Sequence, residues 1–238
     1  MKLSSTDVQH LNNILSTCAI AGIEAVLIDE GVVRGINEGK TAVLISDFNV
    51  PSFSQKVAFT RLSSLRNRIA LFSDSLVIDA KESDRGEINS LEMSAGKSKA
   101  QFRCTPTMLV KPPKVINDED CVRLTFNKDE LKTLLNASKV MGSKKIAIMV
   151  KSSGEVSFSA SDESNDVFTS SVDTEAEFIN DASTVYHDYP TDILSAVLKK
   201  ASDDFDAVVI IMGEAGTMTV RVNGHNVTVL PMISDNDD

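Results

Sequence analysis

The hydrophobic pattern of Val122–Val140, VRLTFNKDELKTLLNASKV, predicts a short extended segment that runs directly into an amphipathic helix. Asn127 is a good N-cap residue, and Glu130 three residues later completes a capping box. An apolar stripe at helical spacing follows, formed by Leu131, Leu134 and Leu135. We therefore predict a helix over residues 127–140 that buries its leucine face.

The N-terminal stretch 3–19, LSSTDVQHLNNILSTCA, has the same plan. Ser4 is its expected N-cap, Asp7 occupies the N3 position, and Gly22 ends the helix. Its apolar stripe consists of Val8, Leu11, Ile14, Leu15 and Cys18. Two more helices are predicted near 62–72 and over 190–201, the latter with proline in its first turn.

Short segments rich in β-branched residues, separated by Gly and Asn turns, predict antiparallel strands between these helices. In the first half they are EAVLID, VVRGI, TAVLIS, VAF, SLVIDAK, INSLEMSAG and KAQFRC. In the second half they are KIAIMV, EVSFSAS, VFTSSV, AEFI, STVYHDY, AVVIIMG, TMTVRV and NVTVLPMI. Each half thus repeats the order helix, strands, helix, strands.

Residues 105–121 interrupt this order with three prolines and an acidic end, which favours an extended connector. We place domain 1 at 1–104 and domain 2 at 122–238, the latter ending in an acidic tail. An offset of 123 superimposes the two capping boxes, and an offset of 128 places Leu65 on Ile193. The predicted fold class is α+β, with two similar domains that each pack two helices on an antiparallel sheet.

Composition limits the class of protein. The 238 residues are 42% hydrophobic, enough for one large domain or two smaller ones. No apolar run approaches the ~20 residues that span a bilayer, so we expect no membrane partner. The N-terminus becomes polar at once, unlike a secretory signal. Three widely spaced cysteines predict reduced thiols and a cytoplasmic location.

Charge is unevenly distributed in this chain, whose net charge is −10. Lys128, Lys132 and Lys139 fall within about 40° of one another on the third helix, at 3.6 residues per turn. Two interpretations stay open: an ordinary solvated helix face, or a face along which a polyanion passes. The candidate polyanion-binding residues are Lys2, His10, Arg66, Lys128, Lys132, Lys139, Lys144, Lys145, Lys199 and Lys200. Arg61 and Arg68 flank the apolar side of the second helix instead.

Catalytic and cofactor signatures are not found. The segment Gly35–Thr41 resembles a phosphate-binding P-loop but is one residue short, and a hairpin turn is the preferred interpretation. The three histidines and three cysteines have no zinc spacing. Asp203-Asp204 and Asp235–Asp238 are acidic clusters for which a solvated role is favoured over a divalent ion. We expect no metal, no cofactor and no catalytic residue.

Two apolar segments lie at predicted edges of structure. Either they pack as an ordinary linker and last strand, or they flank a groove for an apolar peptide of a partner. The residues in question are Met108, Leu109, Val110, Leu230, Pro231, Met232 and Ile233.

At this point the chain is similar to the DNA polymerase sliding clamps, and most to those of tailed bacteriophages. The similarity rests on the opening MKLS with its capped helix, the second capped helix NKDELKTLLNASKV, the connector between similar halves, and the ending VTVLPMISDNDD. The similarity covers nearly the whole chain. It rests on sequence patterns and not on a catalytic signature.

The resemblance implies a DNA clamp fold in which three two-domain subunits form a homotrimeric ring. Such a ring encircles double-stranded DNA without reading its sequence, and tethers the replicative DNA polymerase to raise its processivity. A clamp loader ATPase opens and closes it, while the clamp itself hydrolyses nothing. A viral clamp would work in the host cell cytoplasm.

The resemblance also assigns the candidate residues. The basic residues would face DNA, and the two apolar segments would form a partner-peptide pocket. The subunit joint would pair an edge strand near 99–104 with one near 167–172 of the next copy. The interface residues implied are Lys99, Gln101, Arg103, Val167, Thr169 and Val172.

Three other functions are consistent with parts of the sequence. One is a monomeric processivity factor of the same fold, for which a more basic surface than a net charge of −10 is expected. Another is a small metal-dependent enzyme that uses Asp203 or Asp204. The third is an acidic scaffold that binds only proteins.

Overall fold

The computed structural model describes residues 2–48, 50, 53, 55–72, 76–83, 86–114, 116–179 and 184–232, and these form two compact units. Unit 1 comprises Met1–Glu38, Val43–Lys114 and Asn223–His225. Unit 2 comprises Gly39–Ala42, Val115–Val222 and Asn226–Asp238. Both units combine helices with antiparallel strands, so the predicted α+β class is confirmed.

Unit 1 begins with helix α1 (Ser5–Ile20) and contains a second, shorter helix α2 (Leu62–Ile69). Its strands are β1 (Ala25–Asp29), β2 (Val32–Ile36), β3 (Ala42–Asp47), β4 (Val57–Thr60), β5 (Val77–Glu82), β6 (Ile88–Ala95) and β7 (Ser98–Arg103). They pair in the orders β3-β2-β1-β4 and β5-β6-β7. The segment Gly35–Thr41 joins two antiparallel strands, so the hairpin interpretation is confirmed and the P-loop is excluded.

The core of unit 1 is aliphatic, with a row of buried phenylalanines. Phe48, Phe53, Phe59 and Phe102 have successive ring centroids 5.4, 6.0 and 6.3 Å apart. Gly35 lies where strands pack most closely, because a Cβ there would come within 2.8 Å of the Ile23 side chain. The helices contribute their apolar stripes to this core as predicted, apart from Val8, which is only half-buried.

Unit 2 contains helices α3 (Lys128–Met141) and α4 (Thr191–Asp204). Its strands are β8 (Asp120–Asn127), β9 (Lys145–Val150), β10 (Val156–Ser161), β11 (Val167–Val172), β12 (Glu175–Phe178), β13 (Val185–Pro190), β14 (Ala207–Gly213), β15 (Met218–Val222) and β16 (His225–Val229). They are ordered β12-β8-β14-β15-β16 and β11-β10-β9-β13. No helix in the described ranges is both long and apolar enough to cross a bilayer.

Both predicted capping boxes are present. The Asn127 Oδ1 atom accepts the backbone N–H groups of Asp129 and Glu130, each at 3.0 Å. The Glu130 carboxylate in turn accepts the Asn127 N–H at 3.0 Å. Ser4 and Asp7 form the same reciprocal pair at the start of α1. These bonds satisfy N–H groups that the helix itself leaves unpaired.

Three predicted boundaries differ from the structure. Helix α2 ends at Ile69, before Phe72. Pro190 is the N-cap of α4 instead of a residue of its first turn, because it still pairs with Lys145 as the end of β13. The connector, predicted to be extended, makes a 3-10 turn at Thr107–Leu109. The acidic cluster Asp235–Asp238 and the candidate pocket residue Ile233 lie outside the described residues.

The last part of the connector is fixed to unit 2 through Asp118. Its carboxylate accepts the N–H of Ala215 at 2.8 Å and both the N–H (3.1 Å) and the hydroxyl (2.7 Å) of Thr217. These donors line the turn between β14 and β15. Gly213 lies directly beneath, and a Cβ at that position would collide with the Asp118 carboxylate.

Gly213→Ala is therefore expected to lower the free energy of unfolding by about 1–3 kcal/mol, because the added methyl displaces a carboxylate that holds three hydrogen bonds. Gly39→Ala is the matched control, since the nearest atom to its Cβ would be 3.7 Å away. Urea unfolding measures both variants. Equal stability of the two would contradict the assigned role of Asp118.

Candidate nucleic-acid interface

Helices α3 and α4 enclose an open groove of about 660 Å³ on the surface of unit 2. Leucines on the opposite face of α3 fix its rotation, because Leu131 and Leu134 are buried in the unit 2 core. The residues lining the groove are Lys128, Lys132, Leu135, Asn136, Ser138, Lys139, Ser195, Lys199, Ser202 and Asp203. The structure thus brings the three lysines of α3 and one lysine of α4 to one concave surface.

The four groove lysines differ in their partners. Lys128 forms an ion pair with Asp206 at 2.9 Å, and both side chains are largely exposed. Lys132, Lys139 and Lys199 form no ion pair within the part of the chain that the structure describes. Three ammonium groups around one groove repel one another and gain free energy when an anion enters. The groove is therefore suited to a polyanion.

Three other predicted lysines are neutralised by carboxylates. Lys144 pairs with Glu163 at 2.8 Å, and this hydrogen bond raises the pKa of the ammonium and lowers the pKa of the carboxyl. Lys145 pairs with Asp188 at 2.5 Å, which raises the pKa of Lys145. Lys200 pairs with Asp204 one turn along α4. None of these three lines the groove.

Sequence reasoning missed the serines and the amide of the groove. Ser138, which precedes Lys139 in the sequence, is buried. The buried Ser195 Oγ has no hydrogen-bond partner among the described residues. Lysines at helical spacing identified the face, but nothing in the local sequence separated these serines from ordinary helix positions. Ser138 and Ser202 donate their hydroxyls to the carbonyls of Leu135 and Lys199, so of the groove serines only Ser195 keeps an unused donor.

The corresponding groove of unit 1 lies between α1 and α2 and measures about 430 Å³. Its polar lining residues are Ser5, Gln9, Asn12, Ser16 and Arg66. Arg66 is the one charged residue among the described lining residues. His10 is exposed on α1 outside this groove. Lys2 forms an isolated antiparallel backbone β-bridge with Asp79 on β5. The positive charge of the unit 1 groove therefore comes from a single arginine.

The two apolar segments lie in different units. Met108 and Leu109 are 82% and 69% exposed in the 3-10 turn of the connector, whereas Val110 is buried against Leu27 and Ala58. In unit 2, Leu230 and Pro231 are half-buried and Met232 is exposed, with its N–H bonded to the Asp188 carbonyl at 2.8 Å. Val110 thus anchors its segment, and the methionines and Leu109 present the apolar surface.

The six candidate joint residues lie on two edge strands, β7 in unit 1 and β11 in unit 2. The Cys104 N–H bonds to the Asn89 carbonyl at 2.8 Å, which continues the β6–β7 register. Since hydrogen-bonded pairs alternate in an antiparallel ladder, a set of alternate residues turns its backbone groups away from β6. That set is Lys99, Gln101 and Arg103.

The backbone groups of β11 alternate in the same way as those of β7. The Asp162 N–H bonds to the Asp166 carbonyl at 3.1 Å and continues the β10–β11 register. Val167, Thr169 and Ser171 therefore direct their backbone groups away from β10, whereas Val172 directs its own toward Val156 on β10. Val167 and Phe168 are 62% and 36% exposed, so this edge is also partly apolar.

The cysteine thiols and the acidic residues are the remaining candidates for chemistry in these units. Burial raises the pKa of the Cys18 and Cys104 thiols to about 12, so neither is a thiolate near neutral pH. Within the described ranges, no cluster of His, Cys, Asp and Glu has the geometry of a metal site. Asp203 lines the lysine groove, and Asp204 is held by Lys200.

Comparison with known proteins identifies the fold. No protein-family model and no curated protein sequence matches the chain. Among solved structures, it superimposes on the DNA polymerase III subunit beta of Pseudomonas aeruginosa with a TM-score of 0.72 and 13% identity, covering 98% of this chain and 67% of that one. The chain has the DNA clamp fold.

Two further structures agree with this assignment over their whole length. PCNA from Thermococcus kodakaraensis has a TM-score of 0.64 at 14% identity, with 98% of this chain and 99% of that chain covered. PCNA of A. fulgidus, solved with the C-terminal region of FEN-1 bound, has a TM-score of 0.64 at 11% identity, with 99% of each chain covered. At these identities the similarity establishes the DNA clamp fold alone.

The groove geometry predicts which lysines matter for polyanion binding. For duplex DNA, Lys132→Gln/Lys199→Gln should make the negative slope of log K against log salt shallower by about 1–2. Each lost phosphate contact removes about 0.9 from the magnitude of this slope. Lys144→Gln/Lys145→Gln removes the same charge from ion-paired positions and should change the slope by less than half as much. Equal slopes for the two variants would contradict the groove assignment.

Proposed function

We propose that this chain is the subunit of a sliding clamp that encircles duplex DNA and tethers a replicative DNA polymerase. The observation that carries the proposal is the lysine groove between α3 and α4 on a chain that has the DNA clamp fold and a net charge of −10. Four lysines are concentrated at this groove, while the chain as a whole is acidic. Such a distribution holds phosphates locally and repels DNA elsewhere.

A sliding protein needs contacts that do not depend on sequence. Ammonium groups on flexible stems contact phosphates without reading bases, and each contact exchanges readily as DNA moves. Lys132, Lys139 and Lys199 meet this requirement, because none of them forms an ion pair among the described residues, although Asp203 lines the same groove. Unit 1 contributes Arg66 and polar side chains, a weaker electrostatic surface. We infer that the second domain provides most of the attraction for DNA.

We propose a homotrimeric ring built from two clamp domains per subunit, residues 1–104 and 122–238, joined by the connector 105–121. Strand β7 of one copy pairs with β11 of the next, which gives a head-to-tail contact that closes when the rotation is right. Charge supports this pairing. Lys99 and Arg103 lie on β7, whereas Asp166 and Asp173 flank β11.

Partners are proposed from the exposed apolar residues. Met108 and Leu109 in the connector offer flexible apolar contacts suited to short peptides of different sequence, and Met232 in unit 2 offers a separate exposed contact of the same kind. We infer that a polymerase and a clamp loader ATPase dock there through such peptides. The ring itself is non-catalytic, and its kinship is proposed to be with the clamps of tailed bacteriophages.

The ring predicts a mass near three times that of the 25.7 kDa chain at high protein concentration, falling toward one chain on dilution. Sedimentation equilibrium over a hundredfold concentration range measures this. The mass of a single chain at every concentration would contradict the ring and would favour a monomeric processivity factor or an acidic scaffold.

The DNA surface predicts a second result. Lys128→Glu/Lys132→Glu/Lys139→Glu should impair processive synthesis by the cognate polymerase while the sedimentation mass stays unchanged, because these side chains line the groove between α3 and α4 and none of them lies on a joint strand. Processivity is read as product length in a primer-extension assay with excess template trap. Undiminished product length would contradict the assignment of α3 to the DNA surface.

A further inference from the structure

The free edge of β7 carries a feature that the proposed ring does not explain. Two arginines of α2 reach this edge and bond to its outward carbonyl groups. The Arg68 Nη1 atom donates to the Gln101 carbonyl at 3.0 Å, and the Arg61 Nη2 atom donates to the Arg103 carbonyl at 3.5 Å. Both carbonyls belong to the set that faces away from β6.

The arginines are held in place by the residue between these carbonyls. The guanidinium carbons of Arg61 and Arg68 lie 5.3 and 5.4 Å from the centroid of the Phe102 ring, within the range of a cation–π contact. Phe102 is fully buried and therefore rigid. Arg61 also has a φ of 59°, a left-handed conformation that costs free energy in a residue with a Cβ. The contact persists despite that cost.

An unpaired strand edge attracts other strands, and folded proteins commonly place charged side chains there that prevent such pairing. With two carbonyls occupied, the β7 edge offers a strand mainly N–H donors. A docking strand whose own N–H groups need the Gln101 and Arg103 carbonyls must displace the guanidinium groups. Displaced arginines lose charge-assisted hydrogen bonds unless the incoming strand supplies new acceptors.

The edge of β11 supplies such an acceptor at one end. If β11 pairs with β7 in the antiparallel manner seen within both small sheets, the start of β11 lies at the end of β7. Asp166 immediately precedes β11 and is exposed, and it has no cationic partner among the described residues. The neighbouring acidic groups are already engaged: Asp162 by backbone N–H groups of its own turn, and Glu163 by Lys144.

We propose that Arg61 and Arg68 occupy the carbonyl groups of the β7 edge in the free chain. When β11 of a second copy docks, their guanidinium groups leave these carbonyls and bond to Asp166 of that copy. The transfer makes the edge selective, because a strand that lacks a carboxylate at its leading end cannot replace the bonds it breaks. Asp173 at the other end of β11 lies toward Lys97 and Lys99 and takes no part in the exchange. This inference rests on the proposed ring and adds a specificity device to its joint.

The test is a double-mutant cycle on assembly, followed by sedimentation equilibrium of the full chain. Asp166→Asn should raise the concentration of half-assembly about tenfold in the wild-type background, and less than twofold in Arg61→Ala/Arg68→Ala. Asp173→Asn is the matched control and should have the same effect in both backgrounds. Arg221→Ala, an exposed arginine on β15, controls for loss of a positive charge.

Arg61→Gly is the second arginine variant, since glycine suits the left-handed backbone and removes the guanidinium without strain. Thermal unfolding confirms that each variant is folded. Equal effects of Asp166→Asn with and without the arginines overturn the transfer but leave the ring intact. A wild-type chain that never exceeds single-chain mass overturns the ring and the transfer together.

Discussion

Unpaired backbone groups along two strand edges are the constraint on which the proposed assembly depends. Strands β7 and β11 each end a small antiparallel sheet, and alternate residues of both direct N–H and C=O groups outward. Such edges attract other strands unless they are protected or paired. Here one edge is basic and contacted by arginines, while the other is flanked by carboxylates that form no ion pair among the described residues. In the proposed ring, that difference favours the pairing of unlike edges.

Charge is separated in the same way on the helices. An apolar stripe buries one face of each helix, and the opposite face is exposed and carries mostly polar or charged residues. In unit 2 this face gathers Lys132, Lys139 and Lys199 around a groove, and in unit 1 it carries Arg66 and neutral side chains. The two halves thus differ in the positive charge that their grooves carry.

Local sequence rules predicted most of the fold, because both capping boxes and nearly all strands are specified by residues close in sequence. The lysine face of α3 followed from helical spacing for the same reason. The ion pairs of Lys144 and Lys145 did not, because Glu163 and Asp188 are brought to them by sheet pairing. The contacts of Arg61 and Arg68 with β7 likewise depend on tertiary packing, which no local pattern encodes.

Retention on DNA tests the central claim most directly, since a ring is held by topology and not by affinity. The chain is concentrated with a nicked circular duplex so that rings assemble around it, and is then washed in high salt. We predict that it stays on the circle and is lost when the same DNA is cut once to give a linear molecule. Equal retention on circular and linear DNA, or none on either, would contradict a sliding clamp.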